Sequence, residues 1–452
     1  MGARKINSTT TRKSGIFAGN QIPETMLSVP FIREHFEQVK NGLAKRNKDF
    51  EPLLRRVLEL DDQRRALKTE TDRLLAEMNR LSKEIGQFYK TGEVKKAETL
   101  KAKTAALKEE SKTLAARLQS VENELREVLL QIPNVPHPSV PAGRNEEDNE
   151  TVFTWGEKPG LGDNPLPHWE LAKKYDIIDF ELGNKITGAG FPVYKGKGAR
   201  LQRALINFFL DRNTAAGYLE TQPPHLINEA SGYGTGQLPD KEGQMYHIEK
   251  DNLYLIPTAE VPVTNFYRDV ILDEKDFPIK NTAYTPCFRR EAGSWGAHVR
   301  GLNRLHQFDK VEIVRIEHPD HSYAALDEMV EHVKGLLQAL ELPFRIVRLC
   351  GGDLGFTSAL TYDFEVWSAA QKRWLEVSSV SNFETFQANR LKLRYRDKNN
   401  RKHLAHTLNG SALALPRVVA ALLENNQTPE GIRIPEALQS YTGFALIDQP
   451  NP

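Results

Sequence analysis

Two leucine stripes constrain this chain more than any other feature. From Leu53 to Ile85 the apolar residues Leu53, Leu60, Leu67, Leu74, Met78, Leu81 and Ile85 recur at sevens, threes and fours among Arg, Lys, Asp and Glu. A narrow seam of that period is what two helices bury against each other. After a break at Tyr89-Lys90-Thr91-Gly92, a second stripe runs through Leu100, Leu107, Leu114, Leu118, Val121, Leu125, Val128 and Ile132. Two such stripes joined by a short Gly-containing turn predict an antiparallel coiled-coil hairpin, each helix about 50 Å long. The seam suits an oligomerisation coil, or a protruding arm that satisfies its own stripe and turns its polar faces outward. Arg64, Arg65, Lys68, Arg73, Arg80, Lys83, Lys95, Lys101, Lys103 and Lys108 lie on those faces. Such flanks are ordinary solvated surface, and the same cations suit a phosphate backbone.

Ahead of the stripes, Phe31, Ile32, Phe36, Val39 and Leu43 follow one another at helical spacing. Residues 1–25, rich in Lys, Arg, Ser, Thr and Asn, fit a disordered extension; their composition also suits an organellar transit peptide. After the stripes, Ile132-Pro133-Asn134-Val135-Pro136-His137-Pro138, with Pro141 and the acidic Glu146-Glu147-Asp148, cannot continue a helix and predicts a linker over 134–150. The predicted organisation is thus an extension at 1–25, a helical domain at 26–133, the linker, and a second domain at 151–452.

In that second domain, alternating segments at 151–155, 217–224, 253–257, 282–289, 308–315, 344–349, 361–366 and 372–377 predict strands. Helices are expected at 199–215, 323–340 and 412–425. Hairpin-connected strands with helices between them point to an α+β fold on an antiparallel sheet. Neither GxGxxG after a strand nor GxxxxGK[ST] occurs, so no dinucleotide or P-loop site is offered. Formal charge is +1, so any polyanion-binding surface must be local. The two cysteines, Cys287 and Cys350, lack the spacing of a zinc site or disulfide framework, which fits a reducing compartment, and no apolar run reaches the roughly eighteen residues of a membrane span.

One stretch carries chemistry. Phe288–Glu312 alternates at both ends and is Gly-punctuated and cationic in its middle, as in a β-hairpin with a long tip. Arg289 and Glu291, two apart, are expected on one strand face, with Phe308 and Glu312 returning beside them. A guanidinium, a carboxylate and an aromatic face together suit a nucleotide; an exposed, ion-paired hairpin accounts for the same residues.

In this setting the chain resembles the class II aminoacyl-tRNA synthetases, and within them the seryl-tRNA synthetases. The helix and strand ending at Pro224 resemble motif 1. Phe288-Arg289-Arg290-Glu291 through Gln307-Phe308-Asp309-Lys310-Val311-Glu312 resembles motif 2, and Leu408-Asn409-Gly410-Ser411-Ala412-Leu413-Ala414-Leu415-Pro416-Arg417 resembles motif 3. Between them stand Thr235-Gly236-Gln237-Leu238-Pro239, Thr258-Ala259-Glu260, and Glu376-Val377-Ser378-Ser379 followed by Ser381-Asn382-Phe383, similar to segments of seryl enzymes.

The resemblance implies an antiparallel class II catalytic domain behind a tRNA-binding helical arm. It implies a cytoplasmic homodimer that makes seryl-adenylate from serine and ATP, then transfers the seryl group to tRNA(Ser), with selenocysteine tRNA open as a further acceptor. It places ATP on Arg289, Arg290, Glu291, Leu305, Phe308, Glu376, Val377, Ser378, Ser379 and Arg417, with Arg289 and Arg417 as the catalytic cations. Serine falls to Thr258, Ala259, Glu260, Arg289, Glu312 and Ser411, and Mg²⁺ to Glu376 and Ser379 through the nucleotide; no zinc is expected. Two departures stand out. Ala412 and Pro416 occupy places where the family commonly has glycine, and Pro416 is expected to open the helix carrying Arg417. Arg290 is bulkier than the residue usual there and is expected to turn away from the ligand; His298 and His306 are expected to be structural.

Overall fold

The computed structural model describes residues 27–162, 164–291 and 300–450. The residues before Leu27 and His298 lie outside these ranges. Helices α1 (Val29–Glu34) and α2 (Phe36–Ala44) lead into α3 (Glu51–Lys90) and α4 (Val94–Leu129). The helix expected across 31–43 is divided at His35, whose φ of −124° turns the chain, and Ile32 and Val39 on either side are both fully buried.

α3 and α4 form the antiparallel hairpin, and at 40 and 36 residues they are about 60 and 54 Å long at about 1.5 Å per residue. Leu67, Leu74, Leu81 and Leu114 are buried along the seam, while Leu75, beside the stripe, is exposed. Arg56 meets Glu124 near the base and Lys103 meets Glu77 further out, so the register holds along the pair. Gly92 makes the turn at φ +80°, a conformation that costs glycine little. At the base Ile32, Leu43, Leu54, Leu60, Leu125 and Leu129 close a compact core. Beside that core Asp61 is fully buried, ringed by Arg33, Arg64 and Arg65 at 2.7–2.9 Å. Burial pushes its carboxyl up, but the guanidinium contacts outweigh that and hold it below the usual range.

The proline-rich segment expected to be a linker is bound firmly to the second domain. Asn134 donates from its backbone to Phe356 O and from its side chain to Thr357 O and Phe383 O, and His137 N donates to Ala359 O. Prolines lack N–H donors, and side chains supply the missing ones. Lys45 Nζ donates to Pro138 O and Val140 O. Arg46, 8% exposed, donates to Asn134 O, Leu354 O, Gly355 O and Ser358 O, with no carboxylate among its partners in the described residues. Burial lowers its pKa to about 10, so it stays charged.

The second domain is built on an eight-stranded sheet. Its strands are β1 (Glu150–Trp155), β2 (Leu219–Glu220), β3 (Ile279–Phe288), β4 (Gln307–Glu317), β5 (Phe344–Arg348), β6 (Leu360–Ser368), β7 (Arg373–Asn382) and β8 (His406–Ala414), in the order β1-β5-β6-β7-β8-β4-β3-β2. Every neighbouring pair is antiparallel except β2 and β3 at one edge. Around the sheet lie α5 (His168–Lys174), α6 (Gly196–Ala215), α7 (Ser322–Ala339) and α8 (Leu415–Asn425). Phe208 and Phe209 of α6, Met329 and Val333 of α7 and Val418 and Leu422 of α8 share one core with Val311, Ile313, Phe364 and Val380 of the sheet.

Of the expected boundaries that move, two do so for a reason carried by proline or by the strand itself. The strand across 217–224 shortens to Leu219–Glu220, since Pro223 and Pro224 cannot donate to a ladder. The helix expected from residue 412 starts at Leu415, because Ala412–Ala414 still belong to β8; Pro416 becomes its second residue, a place equally free of any need for an N–H.

Candidate active site

The site is assembled on the β3–β4 hairpin and the strands beside it. β3 closes at Phe288, and Glu291 takes φ +49°, so the regular strand expected to carry Arg289 and Glu291 on one face ends before both. Arg289 N donates to His306 O, and its guanidinium carbon lies 5.4 Å from the centre of the Phe308 ring. Arg290, expected to turn away from the ligand, donates its backbone N–H to Gln244 O and is exposed, although the regular strand has already ended. Glu291 is paired with Arg304, and Leu305 is buried beneath. His306 bonds the Tyr246 hydroxyl at 2.8 Å and stacks on Phe191, which makes it a structural residue.

Further along β4 lies a buried polar pocket. Thr258 Oγ1 donates to Glu312 Oε2 at 3.1 Å, and Glu260 N donates to Thr258 Oγ1 at 3.2 Å. Gln387 Nε2 donates to Glu260 Oε1 at 2.7 Å, and Gln387 Oε1 accepts from Thr407 at 2.7 Å. Ser411 stands opposite Glu312 across the β4–β8 ladder. Ala259 is fully buried and contributes no polar side-chain group. Lys310 Nζ is 2.6 Å from Glu312 Oε2, and both residues are nearly inaccessible. Two carboxylates against one lysine leave one acid without a counter-charge. That acid is Glu260: burial, reinforced by the charge of Glu312, pushes its pKa up to about 7. The pocket is therefore prepared for one compact cation. Sequence reading missed Lys310 and Gln387; Lys310 stands two residues from Glu312 on one strand, a spacing that puts both on one face.

The third group lies on β7. In a regular strand residues three apart point to opposite faces, yet Ser379 Oγ donates to Glu376 Oε1 at 3.3 Å. The cause is a bulge: Phe364 pairs with Ser378 and Glu365 with Glu376, which leaves Val377 without an opposite residue. Val377 and Ser378 are buried, and Ser378 Oγ donates to Ser411 O, so neither side chain reaches the face that Glu376 and Ser379 share. Arg417 donates from Nη1 to Glu376 O at 2.9 Å and from Nε to Asn303 O at 3.0 Å. Asp363 of β6 faces Ser379 across the ladder. Its Oδ1 is buried without a partner among the described residues, and burial with the nearby Glu376 charge holds its carboxyl well above the usual range. An orphaned carboxylate oxygen beside hard oxygen donors fits a divalent cation shared with phosphates. Asp363 gave no signal in sequence beyond being an acid inside a strand.

Arg289 and Phe308, the cation pocket and the Glu376–Arg417 group thus lie along neighbouring strands β3, β4, β8 and β7. Residues 26–136 match the Seryl-tRNA synthetase N-terminal domain family, and residues 245–426 match the tRNA synthetase class II core domain (G, H, P, S and T). The serine–tRNA ligase of Salinibacter ruber is 53% identical over 93% of this chain and 99% of its own length, and that of Trichlorobacter lovleyi is 49% identical over 92% and 98%. Among solved structures, the seryl-tRNA synthetase of Pyrococcus horikoshii complexed with ATP superposes with a TM-score of 0.87 at 34% identity, covering 94% of this chain and all of the other. The cytoplasmic serine–tRNA ligase of Naegleria fowleri in complex with AMP gives 0.82 at 28% identity, covering 95% and 100%.

Proposed function

Since the chain belongs to the seryl-tRNA synthetase family, we propose that it activates serine with ATP and transfers the seryl group to tRNA(Ser), using the groups assembled on β3, β4, β7 and β8. A serine carboxylate oxygen attacks the α-phosphorus in line, the α–β phosphoanhydride bond breaks, and pyrophosphate leaves with its electron pair. A ribose hydroxyl of the tRNA 3′ end then attacks the seryl carbonyl and AMP departs. Both steps rely on positioning and charge neutralisation, so no side-chain nucleophile is called for.

Arg289 takes the α-phosphate and the serine carboxylate. The base stacks on Phe308 above Leu305, and its amine goes to Glu291 once Arg304 yields. Arg290 offers only its backbone, as do Val377 and Ser378. Arg417 holds the γ-phosphate. Glu376 and Ser379, backed by Asp363, would hold Mg²⁺, which when bound would neutralise phosphate charge. The serine ammonium enters the pocket of Thr258, Ala259, Glu260 and Glu312, with its hydroxyl toward Ser411. A pocket lined by buried polar atoms rejects alanine, which would leave them unpaired.

The observation that carries this reading is the buried pocket in which Glu260 and Glu312 share the single lysine Lys310, leaving one acid without a counter-charge. ATP–pyrophosphate exchange with each amino acid in turn tests it. Serine-dependent exchange is expected, and exchange driven by another amino acid, or by none, would overturn it.

The arm α3–α4 is proposed to contact tRNA through its Lys and Arg faces, within an organisation of arm domain 26–133, linker 134–150 and catalytic domain 151–452. The enzyme is proposed to act as a cytoplasmic homodimer; Leu219, 67% exposed on edge strand β2, gives an apolar edge for the second copy. No helix among the described residues is long and apolar enough to cross a membrane. Charging assays with selenocysteine tRNA decide whether that molecule is a further acceptor.

A further inference from the structure

Behind Arg417 lies a buried His–Glu pair that the chemistry above does not use. Glu424, fully buried, sits seven residues after Arg417 on α8, two turns and about 10 Å along the same helix face. Its Oε1 accepts from His168 N at 3.0 Å, from His168 Nδ1 at 2.7 Å and from Gln371 Nε2 at 3.2 Å. Its Oε2 accepts from the Ser368 hydroxyl and from Ala370 N at 3.3 Å. With Nδ1–H donating to the carboxylate, His168 Nε2 is free to accept, and Leu302 N donates to it at 2.8 Å. The next residue, Asn303, offers the carbonyl that receives Arg417 Nε. Asn303 Nδ2 in turn donates to Gln371 Oε1 at 2.8 Å.

These contacts close a ring: Arg417, two turns of α8, Glu424, His168, the segment Leu302–Asn303, and back to Arg417. Gly301 permits the closure. It stands at φ +70°, and a Cβ there would lie 2.2 Å from His168 Nε2, so any side chain would push the imidazole away from Leu302. An ordinary core histidine needs one partner; this one joins the catalytic helix to the returning arm of the hairpin tip.

We propose that His168 and Glu424 are positioning residues that hold the Arg417 guanidinium and the Leu302–Asn303 segment in register for the γ-phosphate of ATP. This rests on the role given to Arg417. Neither residue is among the groups given to substrate above, and the pair acts by fixing where Arg417 Nε is tethered.

The test compares His168→Phe, which fills the space and removes both polar contacts, with Arg417→Ala in the full-length enzyme. Exchange assays give KM for ATP and for serine, with AMP as a competitive inhibitor that lacks the β- and γ-phosphates. For His168→Phe, KM for ATP is expected to rise about tenfold, as misplacement from outside the site does, while KM for serine and Ki for AMP stay within about twofold. A purely structural role would lower kcat and the melting temperature and leave the ATP-to-AMP ratio alone; that result, or equal shifts for all three ligands, overturns the proposal. Should His168→Phe fail to fold, Gln371→Ala loosens the ring at its rim and is expected to shift ATP alone by about threefold; no shift is equally fatal. An inert His168→Phe beside an impaired Arg417→Ala sinks this inference only, whereas an unimpaired Arg417→Ala sinks the assignment of Arg417 as well.

Discussion

The arm and the catalytic sheet solve opposite problems. Beyond its base, where Asp61 is buried, the arm buries one column of leucines and leaves its charges in water, where pairs such as Arg80 with Glu77 and Glu84 hold little energy. The sheet buries charge: Lys310, Glu312 and Glu260 lie together almost out of solvent, and every one of them is bonded. An uncompensated charge in such a place is expensive unless a ligand completes it. Stability in the arm is thus cheap to alter and spread over many positions, whereas in the sheet it is tied to function residue by residue.

Arg289→Ala should break that contrast most sharply. Exchange is expected to fall about a thousandfold, the upper range for losing a preorganised donor, with the melting temperature within a few degrees of the parent. Near-normal exchange would remove Arg289 from the mechanism. Deleting Arg65–Leu118 and joining the ends across the hairpin should do the reverse: serine-dependent exchange persists while kcat/KM for tRNA charging drops about a hundredfold, as lost phosphate contacts demand. Unchanged charging would show that the arm does not read tRNA.

Glu260 sharpens the comparison through pH. With its pKa at about 7, it holds a proton at pH 6 that must leave before an ammonium can be paired. KM for serine should therefore fall about tenfold between pH 6 and 7.5. Glu260→Gln should flatten that profile, and a persistent slope would assign the titration elsewhere. Smallest is Leu114→Ala on the arm seam. A loss of about 2 kcal/mol is expected, at the low end for buried leucine because few neighbours surround it. Faster amide exchange in 100–118 at unchanged pyrophosphate exchange would report it; slowed pyrophosphate exchange would mean that the two regions are coupled.

Leu67, Leu74, Leu81 and Leu114 fall on the seam that their spacing announced, because one periodic rule governs the whole hairpin. The β3–β4 hairpin and the helices α6 and α7 were likewise visible as alternation and as 3.6-residue periods. What stayed hidden depends on local exceptions or on partners remote in sequence. The bulge at Val377 alone brings Glu376 and Ser379 to one face, and no residue type advertises it. Glu291 leaves the strand at φ +49°, which alternation cannot foresee. Gln387 reaches Glu260 from 127 residues away. The 134–141 segment looked loose because prolines end helices; its carbonyls, still able to accept, found Lys45 and Arg46.

Arg46 has a mechanical consequence. It grips four carbonyls on both sides of the junction between the arm domain and the sheet, and from that junction the arm extends about 60 Å. A tilt of about 5° at such a pivot sweeps the tip through about 5 Å, more than separates a hydrogen bond from none. The aim of the far end of the lever is therefore set at its root, where Arg46 shares the grip with Lys45 and Asn134, and loosening that root would scatter the tip without changing a single residue along its length.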